Sequence, residues 1–416
     1  LKVSTFNTFF LWVLFLLLSY SRLQFIFDNP TPISTDGFFY LVEFEHRITK
    51  GTGYYDKFAP LLSIIAVVGK TFSLSPEALF QLSVTSSLII LSLSLFLFLE
   101  RQIHLSLIVP LSEFIFFRSY AFLEQSFALA ITFLGLALIY QRGTRKEFFG
   151  WLLILFGALS HVSGAILVFT YGAYLLIRNK NYFFGALLPI VLIGFKVYNH
   201  ETPLFSLDVL PIFISSCYEH KCTPLEWGEM SITIIFALII LLKAFYERNL
   251  WHFSVALAGA VLIFNLPIWS NDGFLGDRLI LLSIWFILLA VAIHPLKKLR
   301  ISYVIIMLLT TLLPKKEFRD RHIDPTILKK HGATLKMAIP ESALISAPHG
   351  SQFRVTYYLK RRSIRNDSRR KRGITHRLSK LFAPGNCFRL PNHFVALPRN
   401  LSCIYLGDGW IITTAT

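Results

Sequence analysis

Apolar residues in this chain come in long unbroken blocks, and that one feature leaves few folds open. The blocks run over residues 5–26, 77–99, 104–117, 121–140, 148–160, 162–177, 182–198, 231–247, 252–268, 278–294 and 300–314. A helix needs about 20 residues to cross a bilayer core. In hydrocarbon every backbone N–H and C=O must bond within the protein, so a spanning block is a helix or a strand of a closed barrel. The blocks lack the period-2 alternation of barrel strands. Charged residues make up 16% of the 416 residues, against about 25% in soluble domains. The reading is an all-α polytopic membrane domain with about 11 transmembrane helices, one per block. The 148–177 stretch reads either as one long helix or, because Ser160, His161, Ser163 and Gly164 make a polar break in its middle, as two helices that place the break at a membrane surface.

Charge tests the count. With the N-terminus inside, the cytoplasmic turns carry Arg101; Arg142, Arg145 and Lys146; Arg178 and Lys180; Lys243 and Arg248; and Lys297, Lys298 and Arg300. Every short inner turn is basic, as the positive-inside rule requires. The outer ends carry Asp36, Arg118, His161, Asp208, Asp272, Asp277 and Arg278. Residues 27–76, 199–230, 269–277 and the tail after about 315 then face outward. Cys217 and Cys222 fall in an outer loop, where a small-loop disulfide is expected in an oxidising compartment. Cys387 and Cys403 make a second candidate pair in the tail. A zinc site through His220 is the weaker reading, because only three candidate ligands sit together. The first block lacks a small-residue cleavage site and reads as a retained anchor.

The first outer loop holds Asn29-Pro-Thr-Pro-Ile-Ser-Thr-Asp-Gly-Phe-Phe-Tyr40. Ser34 or Thr35 is placed to cap a helix that begins near Gly37, with Asp36 in its first turn. Phe38, Phe39, Leu41, Val42 and Phe44 are expected along the membrane interface, with Glu43, Glu45, His46 and Arg47 turned to water or headgroups. A second apolar piece, Pro60 to Val68, is too short for a span and suits a re-entrant or surface helix. Asp36 reads either as a cap or as a general base, which must reach the proton it removes.

These motifs resemble the polytopic GT-C-fold glycosyltransferases that use lipid-linked sugars, especially the bacterial branch related to protein mannosyltransferases. The resemblance covers most of residues 1–314. Ser34-Thr-Asp-Gly-Phe-Phe-Tyr40 resembles that family's aspartate-bearing first loop, followed by the Gly-rich turn and apolar segment Gly51-Thr-Gly-Tyr-Tyr-Asp-Lys-Phe-Ala-Pro-Leu61. Arg118-Ser-Tyr-Ala-Phe122, Ser160-His161 and Asp277-Arg278-Leu279 resemble its Arg-Pro-Tyr-Ala-Leu, Thr-His and acidic-Arg-Tyr span starts. In the tail, Ile339 to Phe353 looks like the strand-loop-helix opening of an outer domain. Ser119, Phe116 and Leu279 depart from the family pattern.

The resemblance implies transfer of a sugar from a polyprenyl-phosphate donor to a glycan, glycolipid or protein acceptor outside the cytoplasm. Asp36 would be the catalytic base. Arg278, then Arg118, then Lys57 would meet the donor phosphate, since guanidinium matches phosphate geometry. His161 would donate to phosphate or acceptor, or only satisfy backbone at a helix break. Glu124 would face the same cavity, or pair structurally with Arg118. Asp272 and Asp277 would assist the acceptor or a divalent metal, although separated carboxylates do not define an octahedral site.

From Lys315 to Thr416 the chain has 20 Lys plus Arg and 6 Asp plus Glu, so +14 of the formal +17 lies there. Thr334 to Ile339, Leu344 to Ala347, Cys403 to Leu406 and Trp410 to Thr414 have strand character. A small basic mixed α/β extracytoplasmic domain over 315–416 is expected, with 1–314 as the membrane domain. An exterior tail excludes nucleic acid as its partner and points to anionic lipid, phosphorylated glycolipid or acidic polymer. The competing readings are a catalytically silent GT-C-like scaffold and a lipid-linked glycan transporter. A transporter places its polar groups near mid-membrane, whereas here they gather at one surface.

Overall fold

The computed structural model describes residues 5–29, 32, 35–55, 59–98, 116, 120, 122–140, 144–161, 164, 235, 239, 242, 246, 305, 309, 325–348, 351–365, 374–380, 388–389, 403–407 and 410–414. The chain forms two compact units, Leu1–Asp28 with Gln81–Lys316, and Asn29–Phe80 with Glu317–Thr416. The segment expected as the first outer loop thus clusters with the tail.

The first unit holds α1 (Thr5–Asp28), most of α4 (Pro76–Phe98), α5 (Leu123–Tyr140) and α6 (Thr144–Ser160). Helices α1 and α4 run antiparallel: Trp12 meets Phe96 at 5.5 Å between ring centroids, and Gln81 Nε2 donates to the Ile26 carbonyl at 2.9 Å. Among the described residues, Leu11–Asp28 and Pro76–Ser94 are long and apolar enough to cross a membrane, and Leu123–Ile139 is a shorter apolar helix. The α5–α6 hairpin closes through glycine. A Cβ on Gly135 would lie 2.6 Å from the Gly150 carbonyl oxygen, and one on Gly157 would lie 2.8 Å from that of Ala128. Small residues at such crossings let membrane helices approach closely. Helix α6 ends at Ser160 and Gly164 is helical again, so the break expected there is present.

The second unit joins α2 (Thr35–Lys50) and α3 (Pro60–Thr71) to α7 (Pro325–Ala338), β1 (Leu344–Ala347), α8 (Ser351–Leu359), β2 (Arg362–Arg365), β3 (His376–Lys380), β4 (Phe388–Arg389), β5 (Cys403–Gly407) and β6 (Trp410–Thr414). The strands form one mixed sheet in the order β2-β1-β3-β6-β5-β4. Strand β1 lies parallel to both β2 and β3, so β1-α8-β2 is a crossover of the kind parallel strands require. Leu335, Ile345, Val355, Leu378 and Ile412 fill the core between helices and sheet. The segment Thr334 to Ile339, expected as a strand, is instead the last turn of α7 and its exit. Leu335, Ala338 and Ile339 put apolar side chains on one helical face there, a pattern too short to separate from a strand's. Cys403 in β5 is disulfide-bonded.

Helix α2 corrects a second expectation. Phe38, Leu41, Val42 and Phe44 are buried by protein, and so are Glu43 and Arg47 at 0% and 6% exposure. None of the six lies at a lipid or water boundary. Helix α2 ends at Gly51, whose φ of +75° suits the left-handed position after a helix; its N–H bonds the Arg47 carbonyl at 3.0 Å.

Candidate functional site

Asp36 lies in the first turn of α2, where a carboxylate complements the helix dipole. The rest of α2 is fastened on three sides. Arg47 Nε donates to Glu43 Oε2 at 3.2 Å, and Arg47 Nη1 to Ser63 Oγ of α3 at 2.7 Å. Glu43 also accepts the backbone N–H groups of Tyr54 at 3.3 Å and Tyr55 at 2.5 Å. One buried ion pair therefore ties α2 to α3 and to the Gly-rich turn between them. On the third side α8 runs beside α2. Phe38 packs on Tyr357 and Tyr358, the buried Arg354 guanidinium lies 5.3 Å over the Phe38 ring, and Lys360 pairs with Glu45. Tyr357 donates to Glu77 in the first turn of α4, and burial followed by that carboxylate raises its phenol pKa.

In the first unit, Glu124 occupies the first turn of α5. His161 follows the end of α6, is 7% exposed, and donates its backbone N–H to the Gly157 carbonyl at 3.2 Å. The hairpin is antiparallel, with Gly135 against Gly150 and Ala128 against Gly157, so Glu124 and His161 share one end of it. Buried Gln125, Ser126 and Ser160 lie at that end as well. Sequence reading passed over Gln125 and Ser126; the polar triplet Glu124-Gln125-Ser126 opening an apolar helix was the available signal.

A cavity of about 330 Å³ follows the α1–α4 pair, lined by Trp12, Leu16, Leu23, Leu88, Leu93 and Phe96 among others. Arg22, Thr85 and Phe116 line its end nearest Asp28. The Arg22 guanidinium sits 4.6 Å over the Phe116 ring, and Phe25 packs on both Phe116 and Tyr120. Arg22 had been read only as part of the anchor helix. Its position seven residues before Asn29, at the predicted outer end of a span, was the clue.

Arg118, Lys57, Arg278, Asp272, Asp277, Cys217, Cys222 and Cys387 lie outside the described residues. Among the described residues no group of three His, Cys, Asp or Glu side chains is arranged to hold a metal ion.

The EpsG family profile matches residues 9–315. The chain belongs to the EpsG family. This membership agrees with the resemblance drawn from the motifs, that of a membrane protein of glycosyltransferase type. The crystal structure of ArnT from Cupriavidus metallidurans in the apo state is similar at a TM-score of 0.47 and 10% identity, over 97% of each chain. No curated protein matches the EpsG-family chain significantly.

Proposed function

We propose that this EpsG-family protein transfers a sugar from a polyprenyl-phosphate donor to a cell-envelope glycan, glycolipid or protein acceptor, on the extracytoplasmic side of a bacterial inner membrane. The observation that carries the reading is the α1–α4 cavity, an apolar trough between two spans with Arg22 at one end. Such a trough suits an isoprenoid chain, and a guanidinium at its mouth suits the phosphate that follows the chain. The disulfide at Cys403 supports an oxidising compartment for the tail.

In the proposed reaction an acceptor hydroxyl attacks the anomeric carbon, and its proton passes to the Asp36 carboxylate. The bond from the anomeric carbon to the phosphate oxygen breaks, and polyprenyl phosphate departs with the electron pair. Cations stabilise that departing charge best in a dry site; Arg278, Arg118 and Lys57 are the proposed contacts, and Arg22 is added to them by the trough. His161 and Glu124, at one end of the α5–α6 hairpin, would orient donor or acceptor. Asp272 and Asp277 would assist the acceptor, with or without a divalent metal.

The test is Asp36→Asn under single-turnover conditions, with donor binding measured separately. Loss of the base should lower the chemical rate by about 10²–10⁴-fold while donor binding changes little. Near-wild-type turnover would leave Asp36 a helix cap. A wild-type protein that binds lipid-linked sugar yet transfers none would be a scaffold.

A further inference from the structure

A tyrosine at a protein surface normally keeps its polar tip in water and lays its ring on the protein. Tyr55 does the reverse. Its hydroxyl shares a hydrogen bond with Thr356 Oγ1 of α8 at 3.0 Å, and burial of that end raises the phenol pKa to about 12. The residue is nevertheless 37% exposed, so what it shows to solvent is ring. Two half-buried rings stand against it: Phe39 of α2 at 5.9 Å between centroids and tilted by 31°, and Phe353 of α8 at 5.3 Å and 84°. Phe39 and Phe353 touch each other at 5.5 Å, which closes a triangle, and Tyr54 flanks Tyr55 at 4.7 Å. The Tyr54 and Tyr55 N–H groups are held by Glu43, so this aromatic shelf is fixed in place.

Lys360, Arg361 and Arg362 follow α8 in a row, and they are not equivalent. Lys360 pairs with Glu45. Arg361 donates to the Lys336 and Ile339 carbonyls at the end of α7, at 2.6 and 2.9 Å. Arg362 opens the edge strand β2 and is exposed, and among the described residues no carboxylate pairs with it. Burial raises the Tyr54 pKa, and the charge of Arg362 draws it back. An exposed guanidinium thus stands within electrostatic reach of the shelf.

A lipid chain would use these rings but not the guanidinium, and an inorganic anion would use the guanidinium but not the rings. An acidic sugar uses both. A pyranose has a face lined with C–H bonds, whose positive ends meet the negative face of an aromatic ring, and a carboxylate matches guanidinium in charge and geometry. In α2, Asp36 and Phe39 are three residues apart, which puts their positions on one side of the helix within a turn. We propose that Tyr55, with Phe39 and Phe353, is a stacking subsite for a carboxylate-bearing sugar of the acceptor, and that Arg362 at its rim meets the carboxylate. The proposal deepens the proposed function by naming the acceptor an acidic glycan, and it rests on that reading for the part the bound sugar plays.

The test is equilibrium binding to the full-length protein in detergent, without donor, followed by saturation-transfer NMR. The probes are the disaccharide of glucuronic acid and glucose and its neutral counterpart, cellobiose. Wild type should prefer the acidic probe. Tyr55→Leu should weaken both by about tenfold, whereas Tyr55→Phe, which keeps the ring, should weaken neither. Arg362→Gln should leave cellobiose binding unchanged and abolish the preference for the acid. Wild-type protein that binds neither probe, wild-type affinity in Tyr55→Leu, or a preference that survives Arg362→Gln would overturn the proposal. If Tyr55→Leu does not fold, Arg362→Gln alone decides, because its side chain is exposed. Measuring transfer as well keeps the two readings apart. Protein that binds in this pattern yet transfers no sugar retains the subsite and loses the enzyme, whereas active protein without the pattern loses the subsite alone.

Discussion

The two units are sealed by different chemistry. Where α5 meets α6, backbone lies almost on backbone, with Gly135, Gly150 and Gly157 at the crossing. Where α2 meets α3 and α8, the seal is made of large rings and buried charge: Phe38, Phe44, Arg354, and Glu43 with Arg47. We read the contrast as a difference of surroundings. Lipid tails are as apolar as a leucine side chain, so membrane helices gain by close approach rather than by hiding apolar area. Burying a large ring away from water is favourable in itself, and helix ends and turns must find internal partners once covered. Glu43 serves that second need by accepting two backbone N–H groups of the 51–55 turn.

If the contrast is real, cutting the buried charge should do the most damage. Glu43→Ala leaves Arg47 buried opposite the Tyr54 and Tyr55 N–H groups, a loss of about 3–5 kcal/mol. Hydrogen exchange should then rise across residues 51–55 and 60–71. Replacing both partners, Glu43→Leu with Arg47→Met, should cost less than either single change. A single change that exchanges like wild type would mean that the ring packing alone holds the unit.

In the helical hairpin the sensitive position is the smallest residue. Gly157→Ala forces a methyl group against Thr132 and the Ala128 carbonyl, at a cost of about 1–3 kcal/mol. Phe149→Ala removes a ring that is 58% exposed and should shift stability by less than about 0.5 kcal/mol. Thermal unfolding in detergent ranks the two. A larger loss from Phe149 would reverse the picture of a hairpin closed by glycine.

Acid separates the units more gently. Burial, and then the charge of Lys330, lowers the pKa of His331; burial alone lowers that of His376. Both histidines belong to the second unit. A histidine whose folded pKa is depressed contributes stability that is complete above its unfolded value of about 6.5 and is lost as pH falls through the folded value. The second unit should therefore weaken between pH 7.5 and pH 5, measured by limited proteolysis of the tail. His331→Gln should flatten that dependence. An unchanged slope would remove His331 from the account.

Blocks, breaks and turn signals were legible because each is local. The ends of α1 and α4, the stop at Ser160 and the start of α2 beside Asp36 all follow from apolar length and cap chemistry. The strands Leu344–Ala347, Cys403–Gly407 and Trp410–Thr414 were readable as short β-branched or aromatic runs. What covers an apolar face was not legible. The pattern of α2 is equally consistent with burial in lipid and burial in protein, and Phe353, Arg354 and Tyr357, some three hundred residues away, decide for protein. The same limit hid Arg22, whose place beside Phe116 is a tertiary fact. Asp36 was readable as a motif residue at a helix start.

The finest probe of the second unit is the hydroxyl chain that joins its two sequence segments. Tyr55 Oη shares a hydrogen bond with Thr356 Oγ1 at 3.0 Å, and Thr356 shares one with Ser363 at 2.6 Å. Burial raises the Tyr55 pKa to about 12, with the Thr356 bond acting in the other direction. Tyr55 is a phenol whose folded pKa lies above its ordinary value. Its contribution is therefore complete below pH 10 and fades as pH rises through about 12. Tyr55→Phe keeps the ring packed on Phe353 and removes one hydrogen bond, so it should cost only about 0.5–1.5 kcal/mol. Thr356 keeps Ser363 as a partner and is not left bare, which favours the lower end. A loss as large as that for Glu43→Ala would mean that the hydroxyl chain, rather than the ion pair, holds the first loop against the tail domain.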